Sequence, residues 1–323
     1  MVDSGPRELT MKKRLLIAFL TQLTSIVMFG QQLPDSSYKP TVTRATYPPN
    51  AGPTILVDEA HNNAQKLDER LAAFGKLVTA DGFVVRANRE QINASLLKGA
   101  SVLMISNAAA PESRAASPSA FTDQEITAIQ DWVTAGGSLL LIADHMPAPA
   151  AAARLAQAFG VQFMNGFTLP KYMTELPRDK AVQASYDDPY AFTRAANTLR
   201  AHIITNGRNP SERIAQIATF TGQGFKGEGV EPLLVFPGGF VSIFPETPWN
   251  FRPDSRRVDG SGWLQGAVKV VGKGRTAFFG EAAMFTAQIY GPTRIPMGIN
   301  HPLAKENPQF ILNLLHWLVG QLK

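Results

Sequence analysis

The sequence predicts an α/β fold in which helices cover both faces of a largely parallel sheet. Short apolar runs, which suit strands buried on both faces, alternate with longer segments of helical periodicity. The spacing of these segments fits strand–helix–strand units, which place their strands in parallel. The 323 residues are 45% hydrophobic and 18% charged, a composition typical of a globular protein with a substantial core.

The N-terminal half of the predicted domain has clear strand and helix signals. The predicted strands are residues 54–57, 83–85, 102–105, 138–143 and 161–163. A first helix is predicted over residues 67–78, because apolar side chains recur there on one stripe. Thr122 and Glu125 form a T-x-x-E capping box, which predicts a second helix that Gly136 ends. Residues 148–159 are rich in alanine and predict a third helix.

The C-terminal half adds strands that need not be parallel. The predicted strands are residues 233–236, 240–244, 267–271 and 276–279. Gly272 and Gly274 predict a hairpin turn between the last two strands. A final helix is predicted from Asn307, which is followed by a proline suited to the first helical position. Residues 166–190 show no clear period and are predicted to be an irregular excursion.

The first 53 residues predict an export signal and a linker ahead of one domain. Residues 1–30 combine a basic stretch with an apolar stretch shorter than a bilayer span, which predicts a signal peptide, with Met11 as an alternative start. Residues 31–53 are rich in proline, serine and threonine and predict an extended linker. A single domain would then occupy residues 54–323. We expect a periplasmic or extracellular protein with no membrane span after cleavage; an uncleaved anchor helix is the alternative.

Charge and cysteine content narrow the classes of function. Residues 1–30 carry four basic and two acidic side chains of a chain with net charge +5, so the remainder is only weakly basic. We therefore expect no nucleic-acid partner. The chain has no cysteine, which excludes disulfides, thiolate metal sites and cysteine nucleophiles.

Polar side chains gather where the predicted strands end. In open parallel sheets, ligands bind at the carboxyl ends of the strands beside the point where the strand order reverses. Four loops there carry polar residues, and Asn300 lies in a further loop that could contact a ligand. The candidates after the strands are Asp58, His61, Asn62, Asn107, Asp144, His145, Glu281 and Gln288.

These residue types support acid–base chemistry or polar binding. His61 or His145 could act as a general base. Asp58 or Glu281 could orient the histidine ring or act as the general acid. Asn62, Asn107, Asp144, Gln288 and Asn300 are candidate ligand contacts. Structural roles stay open, since carboxylates after strands also cap helices and end strands. No H-x-H or H-x-x-x-H spacing is present, so we expect no metal and no cofactor.

Four strings together resemble a known superfamily. They are TILVDEAHNN, FTDQEITAIQDWVTAGGSLLLIADH, GKGRTAFFGEAAMFTAQ and NHPLAKENPQFILNLLHWL. They look like an exported, largely uncharacterised branch of the class I glutamine amidotransferase-like superfamily, over residues 54–322. The resemblance implies a three-layer sandwich around a flavodoxin-like sheet. It does not imply amidotransferase activity, because the nucleophilic cysteine of that reaction is missing here.

Three functions follow as expectations. The first is an exported, non-amidotransferase domain that binds a small polar ligand, a sugar or a cell-envelope fragment, at the strand ends. The second is a hydrolase of the same ligand class that uses histidine, aspartate and glutamate side chains. The third is an interaction module of an envelope complex with a vestigial cleft.

Overall fold

The computed structural model describes Met1 and residues 32–111, 119–291 and 294–323. The predicted signal peptide lies outside the described residues apart from Met1, so it stays a prediction. Gln32–Lys323 cluster as one structural unit. In the described ranges, no helix has both the length and the apolar character that crossing a bilayer requires.

The described residues form seventeen strands and seven α-helices. The strands are β1 (Gln32–Pro34), β2 (Thr54–Asp58), β3 (Val84–Asn88), β4 (Val102–Ser106), β5 (Ser138–Ile142), β6 (Val161–Phe163), β7 (Phe167–Pro170), β8 (Tyr190–Thr193), β9 (Gln216–Thr219), β10 (Phe225–Gly227), β11 (Glu231–Val235), β12 (Phe240–Phe244), β13 (Arg256–Asp259), β14 (Leu264–Val271), β15 (Gly274–Phe279), β16 (Ala287–Tyr290) and β17 (Ile295–Gly298). The helices are α1 (Ala72–Ala80), α2 (Ala94–Leu97), α3 (Asp123–Thr134), α4 (Ala148–Gln157), α5 (Arg178–Asp187), α6 (Ile203–Asn206) and α7 (Asn307–Leu318).

A nine-stranded sheet organises the fold. Its order is β3-β2-β4-β5-β15-β14-β10-β6, and β11 also pairs with β14. The strands from β3 to β15 run parallel, whereas β6, β10, β11 and β14 join through antiparallel pairs. The prediction of an α/β fold with a mainly parallel sheet and additional C-terminal strands is confirmed. β3 and β4 flank β2 on opposite sides, so the strand order reverses at β2.

Apolar side chains on both faces of the sheet pack against helices. Val57 of β2 belongs to a buried cluster that includes Phe310 of α7. Its neighbour Leu56 belongs to a second cluster, which includes Ile129 of α3. Successive strand residues point to opposite faces, so burying both requires apolar cover on each side. This explains why the parallel strands are continuous apolar runs in the sequence.

Local signals fixed several element ends as predicted. Thr122 accepts a hydrogen bond from the backbone N–H of Glu125, and the Glu125 side chain accepts one from the backbone N–H of Thr122, which forms the capping box of α3. β14 and β15 form the predicted hairpin. Gly272 in its turn has a φ of 58°, and a Cβ there would lie 2.6 Å from the carbonyl oxygen of Thr134. Only glycine suits that position.

Two segments differ from the predictions. Residues 166–190, predicted as irregular, contain β7 and α5. Residues 32–53, predicted as linker, contain β1, which pairs antiparallel with β16. The backbone N–H of Thr46 also donates to Asp81 Oδ1 at 2.8 Å. The folded unit therefore begins before Thr54. Sequence periodicity missed the β1–β16 pairing because the partner strand lies more than 250 residues later in the chain.

Candidate functional site

A cavity of about 330 Å³ lies at the carboxyl ends of β2, β4 and β5, next to the reversal of strand order. Its volume is at the lower end of the range for small-molecule sites. Five predicted site residues line it. They are Asn62, Asn107, Asp144, His145 and Gln288. These residues come from four separate segments of the chain, and all four lie on the wall of one cavity.

Asn107 and Asp144 are fixed by hydrogen bonds between neighbouring loops. Asn107 Oδ1 accepts from the backbone N–H of Asp144 at 2.8 Å. Because the amide oxygen is engaged there, Nδ2 of Asn107 is the part left to donate to a ligand. Asp144 Oδ1 accepts from the backbone N–H of His145 at 2.7 Å, and its carboxylate is a strong acceptor on the same wall.

The hydrogen bond of His145 fixes the tautomer of its neutral ring. Its Nδ1 lies 2.9 Å from the carbonyl oxygen of Met146, which only accepts hydrogen bonds. Nδ1 therefore carries the proton, and Nε2 is an acceptor in the neutral ring. The ring stacks on Phe167 with centroids 4.4 Å apart and meets Trp249 edge-on at 5.4 Å. These contacts hold the imidazole in one orientation.

Gln288 contributes an acceptor without a protein partner. The hydroxyl of Thr286 donates to the carbonyl oxygen of Ala283, so it can only accept from Gln288 Nε2, at 2.7 Å. This fixes the orientation of the amide. Gln288 is 2% exposed, and its Oε1 has no hydrogen-bond partner among the described residues. A buried acceptor of this kind costs free energy unless a ligand or water donates to it.

The cavity wall also concentrates unusual backbone geometry. Asn62, Asn107 and Trp249 have φ values of 48°, 44° and 65°. All three line the cavity. Asparagine tolerates this region, but a bulky residue such as tryptophan rarely adopts it. Backbone strain of this kind persists where the surrounding structure imposes it, and it clusters at functional sites.

Glu281 lies behind the wall rather than on it. Its carboxyl oxygens accept from the backbone N–H groups of Ala283 and Met284, each at 2.7 Å. Complete burial and the nearby charge of Asp144 raise the pKa of Glu281 well above its ordinary value. Glu281 supports the loop that carries the cavity and does not contact its lumen.

Asp58 and His61 form a buried cluster away from the cavity wall. His61 Nδ1–H donates to both oxygens of Asp58 at 2.9 and 3.0 Å, and Nε2–H donates to Glu125 Oε1 at 3.0 Å. Burial acts to lower the pKa of His61, but the hydrogen bonds and charges of Asp58 and Glu125 outweigh it and raise the pKa. With both nitrogens protonated and engaged, this ring cannot accept a proton from a substrate.

The remaining candidate, Asn300, supports the wall from outside. Its Nδ2 donates to Asp35 Oδ2 at 2.9 Å and to the carbonyl oxygen of Gln288 at 2.8 Å. In the ranges that the structure describes, no group of three or more histidine, aspartate or glutamate side chains is arranged to hold a metal ion.

Several wall residues were not predicted from the sequence. Gln32 and Tyr186 join through a hydrogen bond of 2.6 Å from Gln32 Nε2 to the phenolic oxygen. Arg70 follows the same strand as Asn62 and could have been found by extending that loop. Gln32, Tyr186 and Trp249 come from segments without a periodic signal, and nothing in their local sequence marks them. The unpredicted polar and aromatic wall residues are Gln32, Gln65, Arg70, Tyr186, Thr221 and Trp249.

Comparisons with known proteins bear on the fold. No protein-family model matches the chain, and no curated protein matches its sequence. The mmIFT52 N-terminal domain superposes with a TM-score of 0.55 at 13% identity, over 82% of this chain and 97% of that domain. A ThuA-like protein from Bacteroides uniformis ATCC 8492 gives a TM-score of 0.42 at 14% identity, over 88% of this chain and 97% of that one.

A cytoplasmic protein from Salmonella typhimurium LT2 gives a TM-score of 0.48 at 12% identity, over 82% of this chain and 98% of that one. These likenesses concern the fold alone. The α/β architecture is thus shared with the mmIFT52 N-terminal domain. Membership in the particular branch suggested by the four sequence strings stays a prediction.

Proposed function

We propose that this protein is an exported, non-amidotransferase α/β domain that binds a small polyhydroxylated ligand, a sugar or a cell-envelope fragment, in the cavity at the strand ends. One observation carries the proposal: polar groups from separate loops line one cavity with their hydrogen-bonding directions already fixed. Small-molecule sites characteristically combine a preformed concave surface with a few oriented polar groups.

The hydrogen-bonding pattern favours a ligand with several hydroxyl groups. Gln288 Oε1, His145 Nε2 and the carboxylate of Asp144 are acceptors, whereas Asn107 Nδ2 is a donor. A hydroxyl group both donates and accepts, so a ring bearing several of them satisfies this mixed set. Trp249 adds an aromatic surface to the same wall.

The first prediction tests Gln288. Replacing it with methionine keeps the size of the side chain and removes the unpartnered acceptor. Gln288→Met should weaken sugar binding about tenfold, because a buried hydrogen bond to the ligand is lost. Calorimetric titration with a panel of monosaccharides, disaccharides and peptidoglycan fragments measures the effect.

Gln265 supplies a matched control for that variant. It is also buried and its Oε1 also lacks a partner, but it does not line the cavity. Gln265→Met should leave the affinity within about twofold of the unaltered protein, well inside the effect of losing a hydrogen bond. Equal loss in both variants would contradict the assigned role of Gln288. If no member of the panel binds the unaltered chain, the binding proposal is wrong and the interaction module becomes the better reading.

A hydrolase is the second candidate, and His145 is the observation that favours it. With Nδ1–H donating to Met146, Nε2 is the accepting nitrogen of the neutral ring, as a general base requires. No carboxylate is hydrogen-bonded to its ring among the described residues, so the oriented acid–base pair of many hydrolases is not formed. If the protein hydrolyses a bound glycan, His145→Ala should lower kcat by about a hundredfold or more. Full turnover in that variant would exclude His145 as the base.

We also propose that the domain belongs to the glutamine amidotransferase-like superfamily, and its strand order supports this assignment. In chain order, the five parallel strands follow the order 2-1-3-4-5, which flavodoxin-like sheets share. Together with the buried clusters on both faces, this supports a three-layer sandwich of the glutamine amidotransferase-like type. Without a cysteine, such a domain would use the strand-end cavity for binding rather than for amide transfer.

A further inference from the structure

Arg70 is a half-buried cation on the cavity wall without a counter-ion. Its guanidinium forms no hydrogen bond or ion pair with a described residue. Other partly buried arginines of the chain are engaged: Arg208 pairs with Glu212 at 2.7 Å, and Arg194 donates to the carbonyl oxygens of Thr205 and Ile214. A guanidinium partly removed from water loses hydration, so a bound anion would offset that cost.

Arg70 and Asp144 place opposite charges around the same cavity. The charges of both residues affect the pKa of the Tyr186 phenol. Burial is the main cause of its raised pKa, to which the Asp144 charge adds, while the Arg70 charge acts in the opposite direction. Glu281 lies behind the wall and does not line the cavity. The cavity is therefore polarised: Arg70 can bind an anion, and the carboxylate of Asp144 can accept hydrogen bonds from donor groups.

We propose that the ligand is an acidic sugar, whose carboxylate binds Arg70 and whose hydroxyl groups donate to Gln288 and Asp144. The inference rests on the proposed function and specifies its ligand class. A guanidinium matches a carboxylate with two parallel hydrogen bonds, which a neutral hydroxymethyl group cannot reproduce. Gln288 belongs to the same wall, and we assign its unpartnered Oε1 to one of the ligand's hydroxyl groups.

The composition of the wall favours a carboxylate over a phosphate. Arg70 is the single lysine or arginine among the described residues that line the cavity. Phosphate sites in proteins usually present several backbone N–H groups at a helix N-terminus or nest, or more than one cation, because the group carries up to two charges. One guanidinium on a wall that also carries the Asp144 carboxylate suits a ligand with a single negative charge.

The test compares hexuronates with their neutral parents on the full chain. Glucuronate, galacturonate and mannuronate are titrated by calorimetry at neutral pH, beside glucose, galactose and mannose. At least one hexuronate should bind about tenfold more tightly than its parent, as a charge-assisted hydrogen-bonded pair allows. Its affinity should also fall with added salt, whereas that of the parent should not.

Variants separate the charge of Arg70 from its place in the fold. Arg70→Gln should abolish the preference for the hexuronate over its neutral parent, because the charged pair is lost. Arg70→Lys keeps the charge and should retain part of the preference, even if the glutamine variant folds poorly. Arg154→Gln is the control, because Arg154 pairs with Asp123 on the exposed face of α4, outside the cavity wall.

The two proposals fail in different ways. Equal affinities for hexuronates and neutral parents, with Arg70→Gln affecting both alike, would overturn the acidic-sugar inference and leave sugar binding standing. Binding of neutral sugars alone would overturn it as well. If none of the six compounds binds and the wider panel also fails, the proposed function itself is wrong.

Discussion

The two histidines near the strand ends differ in what their ring nitrogens can do. His61 lies between Asp58 and Glu125, donates from both nitrogens and is 9% exposed. His145 donates from Nδ1 to a carbonyl oxygen and keeps Nε2 as an acceptor at the cavity. The same residue type thus stabilises a loop in one place and lines the cavity in the other. The sequence could not separate the two, because the distinction depends on Glu125, 64 residues later in the chain.

The His61 cluster predicts a pH-dependent contribution to stability. The pKa of His61 is raised above 6.5, so its contribution is complete below about pH 6.5 and is lost as the pH rises through the folded-state pKa. Burial acts to raise the pKa of Glu125, but hydrogen bonds from Thr122 and the charge of His61 lower it below 4.5. Its contribution is therefore complete above about pH 4.5 and is lost as the pH falls through the folded-state pKa.

The variant His61→Gln should accordingly lower the free energy of unfolding by about 3 kcal/mol near pH 5 to 6, because two buried carboxylates lose their cation. The difference from the unaltered protein should shrink at alkaline pH. Urea unfolding from pH 5 to pH 9 measures it. His202→Gln is the control: burial lowers the pKa of His202, so its contribution should instead grow as the pH rises. A difference that does not vary with pH would contradict the imidazolium assignment of His61.

At the scale of elements, local signals located most of the parallel sheet. Residues close together in the chain determine three of these features: the apolar run at β2, the capping box of α3 and the turn between β14 and β15. β7 and β16 were missed because they are short and pair with strands remote in sequence. β17 was missed because it is short and pairs only with β16 among the described residues. Their residues become strands through those partners, since their own pattern does not distinguish strand from loop.

For the loops of the site, too, the sequence predicted some features and missed others. Topology alone brings the ends of β2, β4 and β5 to one edge, so the general location of the cavity was predictable. Which residue of each loop faces the cavity was not predictable from the sequence. His61 turns inward to Glu125, while the adjacent Asn62, with a φ of 48°, lines the wall. That choice is made by the backbone conformation of single residues, which periodicity does not encode.

At the scale of the whole molecule, the cavity is completed by segments far apart in the chain. Gln32 of β1 and Tyr186 of α5 meet at the wall through a hydrogen bond, and β1 is held there by pairing with β16. The segment after β1 is also anchored, since Tyr47 packs edge-on against Phe83 with ring centroids 5.1 Å apart. Residues before Thr54 therefore belong to the structure of the site as well as to that of the domain.

This arrangement predicts that the position of the N-terminus decides both stability and binding. A chain that begins at Gln32 keeps β1 and its pairing with β16, and it serves as the reference. A chain that begins at Thr54 loses β1, the Thr46 hydrogen bond to Asp81 and the apolar contact of Tyr47. It should be less stable by about 3 kcal/mol, from lost apolar burial and hydrogen bonds, and should lose measurable sugar affinity. Equal unfolding midpoints for the two shortened chains would show that residues 32–53 are a linker after all, because a linker adds no contact that unfolding must break.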